Sequence, residues 1–230
     1  MDPSPLLLGD YLQPPTGPQL AATPYGNLDK ADLAEFLTAW PDIHREALGR
    51  MKHRIHPSAR IHPTALIGDD VIIGPAARVW EFTTIRDGSV IGTGASIGFN
   101  CEVTRAFVGD GAVLGHRIGI NRTLVGAEAH LSANLTVAAI SMWSPDMRTP
   151  EREIILRTPT GIYRCGTPQF GALIGDRVQT GNNISLGPGL AIGRNCRITS
   201  GVTLAARTIP AHHTVSNPHT TDVHVHRHRR

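Results

Sequence analysis

Lysine is almost missing from this chain. Of its 22 Lys and Arg residues only Lys30 and Lys52 are lysine, and aromatic residues make up 5% of the sequence. Without basic residues interleaved with aromatics there is no platform for stacking on bases, so nucleic acid is not an expected partner. The three cysteines, Cys101, Cys165 and Cys196, stand at unrelated spacings. That excludes a disulfide framework and a zinc site of the usual spacing, and no metal is expected. No apolar run approaches transmembrane length, so no membrane partner is expected either. Met1 to Asp10 lacks a basic start and has only Leu6 to Leu8 as an apolar run, which does not make a signal peptide. The chain reads as cytoplasmic and reduced.

What is present is a rhythm of six. Aliphatic residues recur at Ile55, Ile61, Ile67, Ile73, Val79, Ile85, Ile91, Ile97 and Val103. After a five-residue step they continue at Val108, Leu114 and Ile120, and after another at Val125, Leu131 and Val137. An interruption follows, and the rhythm resumes through Ile174, Thr180, Leu186, Ile192, Ile198 and Leu204, giving 21 hexads. Glycine often follows the aliphatic, as at Gly68, Gly74, Gly92, Gly98 and Gly193, and four residues after it comes a small or β-branched residue such as Ala77, Ser89, Cys101 or Val178.

Such a repeat reads as an all-β solenoid, a parallel β-helix. Three short strands close one triangular coil, so the hexads make about seven coils, stacked at roughly 4.8 Å into a prism about 30 Å tall. The aliphatic fills the prism. Cys101 and Cys196 fall on the small interior position and read as core; Cys165 lies in the interruption and is unassigned.

Flanking segments complete the organisation. Residues 1–54 form an N-terminal segment, Pro- and Gly-rich and irregular to about residue 26. A helix is expected from Asp29 to Gly49, capped by Asp29 or Asn27 and broken at Pro41. Its face of Leu33, Phe36, Leu37 and Trp40 suits a lid over the open first coil, whose strand edges need cover. The prism takes residues 55–210. Within the interruption, 138–173, the segments Glu153 to Arg157 and Gly161 to Arg164 flank Thr158-Pro159-Thr160-Gly161, which predicts a β-hairpin arm. Residues 211–230 read as a flexible His- and Arg-rich tail, whose His224, His226 and His228 could hold metal only weakly.

The stretch Ile97 to Gly126, IGFNCEVTRAFVGDGAVLGHRIGINRTLVG, resembles the acetyltransferase domain of bifunctional N-acetylglucosamine-1-phosphate uridylyltransferases. Gln169 to Gly193 is similar to the C-terminal domain of archaeal sugar-1-phosphate nucleotidylyltransferases. The two five-residue steps, the Gly115-His116 pair and the arm carry the resemblance. It implies a left-handed β-helix and a homotrimer with sites between adjacent columns, each arm reaching a neighbour. It implies acetyl-CoA or another acyl-CoA as co-substrate and a small-molecule acceptor, a sugar, sugar phosphate or related metabolite. His116 would be the general base that frees the acceptor amine, a task suited to imidazole. Arg86 would grip an acceptor phosphate. Thr104, Gly119, His130 and Tyr163 are further acceptor-side positions, and Asn182 and Ser200 would bond the pantetheine amides. The family's acceptor-contacting Lys and Tyr are Thr104 and Gly119 here, two Asn positions are His130 and Ala139, and a Lys at the arm base is Gln169. These departures argue against glucosamine 1-phosphate as the acceptor.

Two other readings stay open at this point: a non-catalytic scaffold or sensor of a sugar nucleotide, and a biosynthetic enzyme that reuses the fold as a cyclase or isomerase. A γ-type carbonic anhydrase needs three His ligands, and His116 and His130 lack a third partner in the prism after His62.

Overall fold

The structure, a computed structural model, describes residues 5–142 and 145–217. The expected solenoid is there, a left-handed parallel β-helix whose short strands stack into three walls. The first wall has eight strands, from Arg60–Ile61 to Thr214–Val215, and the second has seven, from Leu66–Ile67 to Thr203–Leu204. The third runs from Ile72–Ile73 to Arg207–Ile209 and, with the hairpin at its edge, forms a nine-stranded sheet. The coil count is therefore slightly above seven. Ile209 and Val215 carry the rhythm past Leu204, after one more five-residue step. The prism boundary at residue 210 is corrected accordingly. The part of the tail at 218–230, with His224, His226 and His228, lies outside the described residues.

Within each wall the pairing keeps the hexads in register, so aliphatics stack on aliphatics: Ile85 pairs with Val103 and Val103 with Ile120. Burial follows the sequence pattern. Ile73, Ile91, Ile97, Leu114, Val125, Ile174 and Ile192 form one continuous core with Ala77, Ala95, Cys101 and Cys196. Coils touch closely at the corners. A Cβ added to Gly126 would lie 2.4 Å from the Asp176 backbone nitrogen, closer than any side chain tolerates.

A second core lies outside the prism. On the third wall the residue before each aliphatic is itself apolar: Ile72, Val90, Phe107, Leu124, Leu173 and Ala191. Neighbouring strand residues face opposite sides, so this row points away from the prism and buries against Leu8, Leu12, Tyr25, Leu33, Phe36 and Trp40. The N-terminal segment thus runs along a side wall and does not cap the first coil, which corrects the lid expectation. It is also less irregular than expected. Tyr25 stacks on Phe107 at 5.6 Å, and Asp110 holds the backbone N–H and hydroxyl of Thr16 at 2.7 Å each.

The long helix spans Leu33–Arg50 and is capped by Asp32, whose carboxylate accepts from the Ala34 N–H at 2.9 Å. Pro41 lies inside it and does not end it. A proline in a helix forfeits one hydrogen bond and costs about 3 kcal/mol. The buried face of Leu33, Phe36, Trp40, His44 and Ala47 spans both sides of Pro41 and offsets that cost.

The arm forms the expected hairpin: Ile155–Thr158 pairs antiparallel with Gly161–Arg164. It packs on its own chain. Arg157 pairs in parallel with Arg207 at the edge of the third wall. The Tyr163 hydroxyl donates to Asp32 Oδ1 at 2.5 Å and accepts from the Ala34 N–H at 2.8 Å. The hairpin is thus seated on its own third wall and helix, where the expectation has it reaching a neighbour. Cys165 is buried in this second core, where burial and the nearby Glu153 and Asp32 push its thiol up to about 12.

Candidate active site

The corner between the first and second walls is built by a column of left-handed residues: Phe82, Asn100, Arg117, Asn134 and Asn183 have φ between 53° and 59°. Asparagine tolerates this conformation well, which accounts for its recurrence here. Each of these residues follows one whose side chain leaves the corner toward solvent. His116 is one of them, exposed, with its carbonyl accepting from the Asn134 N–H at 2.9 Å. Asn182 and Ser200 occupy the same place two and three coils further on, at roughly 10 and 14 Å for a 4.8 Å rise. They are joined to the column by the Asn183 N–H to Ala133 carbonyl and Gly201 N–H to Asn182 carbonyl bonds. The expected base and both expected pantetheine contacts therefore share one edge of the prism. Asn182 Oδ1 accepts from the Ala133 N–H at 3.1 Å, and the Asn182 N–H donates to Ser200 Oγ at 3.0 Å. The amide nitrogen of the Asn182 side chain has no protein partner among the described residues.

The adjoining second wall carries a groove of about 590 Å³ lined by Phe82, Thr84, Arg86, Glu102, Arg117 and Gly119. Arg86 and Gly119 meet there, two coils apart, next to the His116 corner. Glu102 pairs with Arg86 in the open, and this pairing holds the guanidinium above its ordinary range. An exposed pair of this kind is worth little and gives way readily to a dianion. Arg117, beside His116, donates to Asn134 Oδ1 at 2.8 Å. Sequence reading overlooked Arg117 and Glu102, although the coil spacing that aligns Thr84, Glu102 and Gly119 would have found them.

The remaining candidates do not line this groove, although Thr104 is the register partner of Arg86 on the same wall. His130 is exposed on the first wall between Val113 and Gln179, three residues before the corner. Tyr163 is 5% exposed with its hydroxyl committed to Asp32 and Ala34. It ties the arm to the helix and does not face the groove, which corrects its expected acceptor contact. Thr104 is buried, and its Oγ1 is the one buried side-chain polar atom without a hydrogen bond among the described residues. Ala139 is buried, and Gln169 stands at the base of the arm. Among the described residues no three His, Cys, Asp or Glu side chains cluster as metal ligands would, and no helix is long and apolar enough to cross a membrane.

Residues 50–154 match the family model of the GMPPB C-terminal domain. The match takes in the first coils, the His116 corner and the Arg86 groove. Relatives described as uncharacterized acetyltransferase YaiX, from two Escherichia coli strains, align as well. The one from strain 536 is 29% identical over 126 residues, 55% of this chain and 51% of that protein. The K12 relative is 29% identical over 125 residues, 54% of this chain and 51% of its own length. The chain spans about half the length of the curated relatives it matches. Among solved structures, AntD, an N-acyltransferase from Bacillus cereus in complex with dTDP and 3-hydroxybutyryl-CoA, superposes with TM-score 0.45 and 14% identity. It covers 75% of this chain and 83% of that one. The acetyltransferase domain of PglB from Neisseria gonorrhoeae gives TM-score 0.37 and 19% identity over 74% of this chain and 63% of that one.

Proposed function

We propose that the protein is a CoA-dependent acyltransferase that acylates an amine or hydroxyl of a sugar or sugar-phosphate-like metabolite. The observation that carries this reading is the column on one corner: exposed His116 in line with Asn182 and Ser200, beside a groove holding Arg86 and Gly119. The family match over that corner and the relatives named as acetyltransferases support it.

In this mechanism an acyl-CoA lies along the corner, its pantetheine amides bonded by Asn182 and Ser200. The acceptor enters the groove, and Arg86 leaves Glu102 to hold an anionic group bidentately. His116 removes the proton from the acceptor nitrogen or oxygen as that atom attacks the thioester carbonyl. The tetrahedral adduct collapses by breaking the C–S bond, and the imidazolium returns its proton to the departing CoA thiolate. The enzyme ends unchanged, with acyl-acceptor and free CoA as products. Phe82 and Phe99, exposed beside His116 and meeting edge to face at 5.9 Å, suit a subunit contact. We therefore place the site between copies in a homotrimer. Three unpaired thiols suit the cytoplasm and a biosynthetic role there.

The test is acyl transfer from acetyl-CoA across a panel of amino sugars and sugar phosphates, followed by thiol release. His116→Ala should leave the melting temperature nearly unchanged, since the side chain fills no core, and lower turnover by about 10²–10⁴ with little change in CoA affinity. A chain that binds the panel without releasing any thiol is a sensor or scaffold, and an unchanged rate in the variant removes His116 from the chemistry.

A further inference from the structure

The corner between the second and third walls is tightened where the rhythm drops to five residues. In an ordinary coil it holds two residues, Asp87 and Gly88; in the two shortened coils it holds one each, Arg105 and Arg122, at φ 43° and 47°. Their backbones stack in one ladder: the Arg105 N–H donates to the Arg86 carbonyl at 3.2 Å, and the Arg122 N–H to the Thr104 carbonyl at 3.0 Å. One coil later the arm leaves and returns at this same corner, where the Gly171 N–H donates to the Arg122 carbonyl at 3.0 Å. Arg105 and Arg122 thus face a cleft of about 270 Å³ closed by Leu37, Trp40 and Pro41 of the helix and by Thr167 and Gln169 of the arm base.

Both arginines are half-buried, yet among the described residues neither guanidinium makes a hydrogen bond or an ion pair. Each carries five N–H donors in a fixed fork. Two like charges on consecutive coils, withdrawn from water and lacking a carboxylate within ion-pair distance, are costly. Burial and the neighbouring Arg105 push the Arg122 guanidinium down, with Asp87 only partly opposing them. Asp87 lies one coil above, toward the His44 side of the corner. An anion with several oxygens is what this arrangement lacks.

We infer that the cleft between the Leu33–Arg50 helix, the arm base and the tightened corner binds a phosphoryl group of a small metabolite, held by Arg105 and Arg122. It is separate from the acyl-transfer corner, which lies across the second wall. The cleft exceeds the volume of the anion itself, at about nine times the ≈ 30 Å³ share of one water in the liquid. It therefore has room for part of the molecule that carries the phosphate, against Leu37 and Pro41. Its position joins helix, arm and prism, so an occupied site locks the three together.

The experiment is calorimetric titration of the full chain with inorganic phosphate and with pyrophosphate. An Arg86→Gln background removes the groove on the second wall as a second phosphate binder. One site is expected, with pyrophosphate the tighter ligand and affinity falling as salt rises. Arg105→Gln and Arg122→Gln should each weaken it at least tenfold and together abolish it, whereas Arg45→Gln on the outer helix face should not. Removing one of two like charges should not lower the melting temperature. Arg105→Lys with Arg122→Lys retains charge without the fork and should lose a smaller factor, which separates loss of the site from loss of the fold. Absence of binding in the Arg86→Gln protein, or equal affinity in the double Gln variant, overturns the site.

Discussion

Asp176 is 1% exposed and engaged on every side. Its Oδ1 accepts from the Ala127 N–H of the coil before at 2.8 Å, its Oδ2 pairs with Arg194 of the coil after at 2.9 Å, and its own N–H donates to the Tyr11 carbonyl at 2.9 Å. One carboxylate therefore clamps three coils at the corner between the third and first walls, and Arg194 Nε also reaches the Tyr11 carbonyl at 3.1 Å. Replacing it strands a buried N–H, at about 1–3 kcal/mol. The lost pair adds less than a fully buried one would, because the Arg194 side chain is 31% exposed. Asp176→Ala should thus cost roughly 2–4 kcal/mol in urea denaturation, and Asp176→Asn, which keeps an acceptor for Ala127, less. Equal stability of wild type and Asp176→Ala would show that the clamp is idle. Nothing in the sequence marks Asp176 apart from Asp69 or Asp87, because the hexads fix its corner but not its partners. His116, Asn182 and Ser200 were legible as outward positions, and the register alone lines them up. Tyr163 was not legible as a structural residue, because its partners Asp32 and Ala34 lie about 130 residues away.

The helix and its wall meet through a chain of buried polar contacts that element-level pattern reading does not show. The Asp70 carbonyl can only accept, so at 2.6 Å it requires a proton on His44 Nε2. His44 Nδ1 then accepts from the Tyr25 hydroxyl at 2.9 Å, and that hydroxyl accepts from Trp40 Nε1–H at 3.1 Å. Burial holds the His44 imidazole below its ordinary 6.5, outweighing Asp70 and helped by Arg105. The unfolded chain takes up the proton first, so the neutral imidazole stabilises the fold fully above about pH 6.5, and that stability is lost as pH falls. Docking of the Leu33–Arg50 helix should weaken as pH falls below about 6.5, read as faster amide exchange over Phe36 to Ala47. His44→Gln should flatten that pH dependence, and a profile that stays unchanged in the variant would place the titration elsewhere. The helix itself was visible from its apolar face. Its site of docking was also written in the sequence, as the paired apolar residues that recur on every third hexad: Ile72-Ile73, Val90-Ile91 and Phe107-Val108. Reading only the interior position hides that second row.

At the scale of the whole molecule the prism leaves apolar surface uncovered in one region. Leu66 is 67% exposed, Trp80 45%, Phe82 59% and Phe99 38%, all around the first–second corner in the early coils. The third wall hides its apolar row under the N-terminal segment, so its covering element comes from the same chain; this corner has none among the described residues. A contiguous patch of large apolar side chains marks a contact, and here it adjoins the groove and His116. A second copy laid against the corner would bury the patch and close the groove, which is the arrangement an active site between columns needs. The native mass should therefore be three times the 24.7 kDa of one chain by light scattering. Phe82→Ser with Phe99→Ser should give single chains with an unchanged β signal in circular dichroism, since neither ring belongs to the prism core. Those single chains should lose acyl transfer although His116, Asn182 and Ser200 are intact, and mixing them with His116→Ala chains should restore nothing. Single wild-type chains that turn over at full rate would show that one column suffices, and the exposed aromatics would then need a different partner.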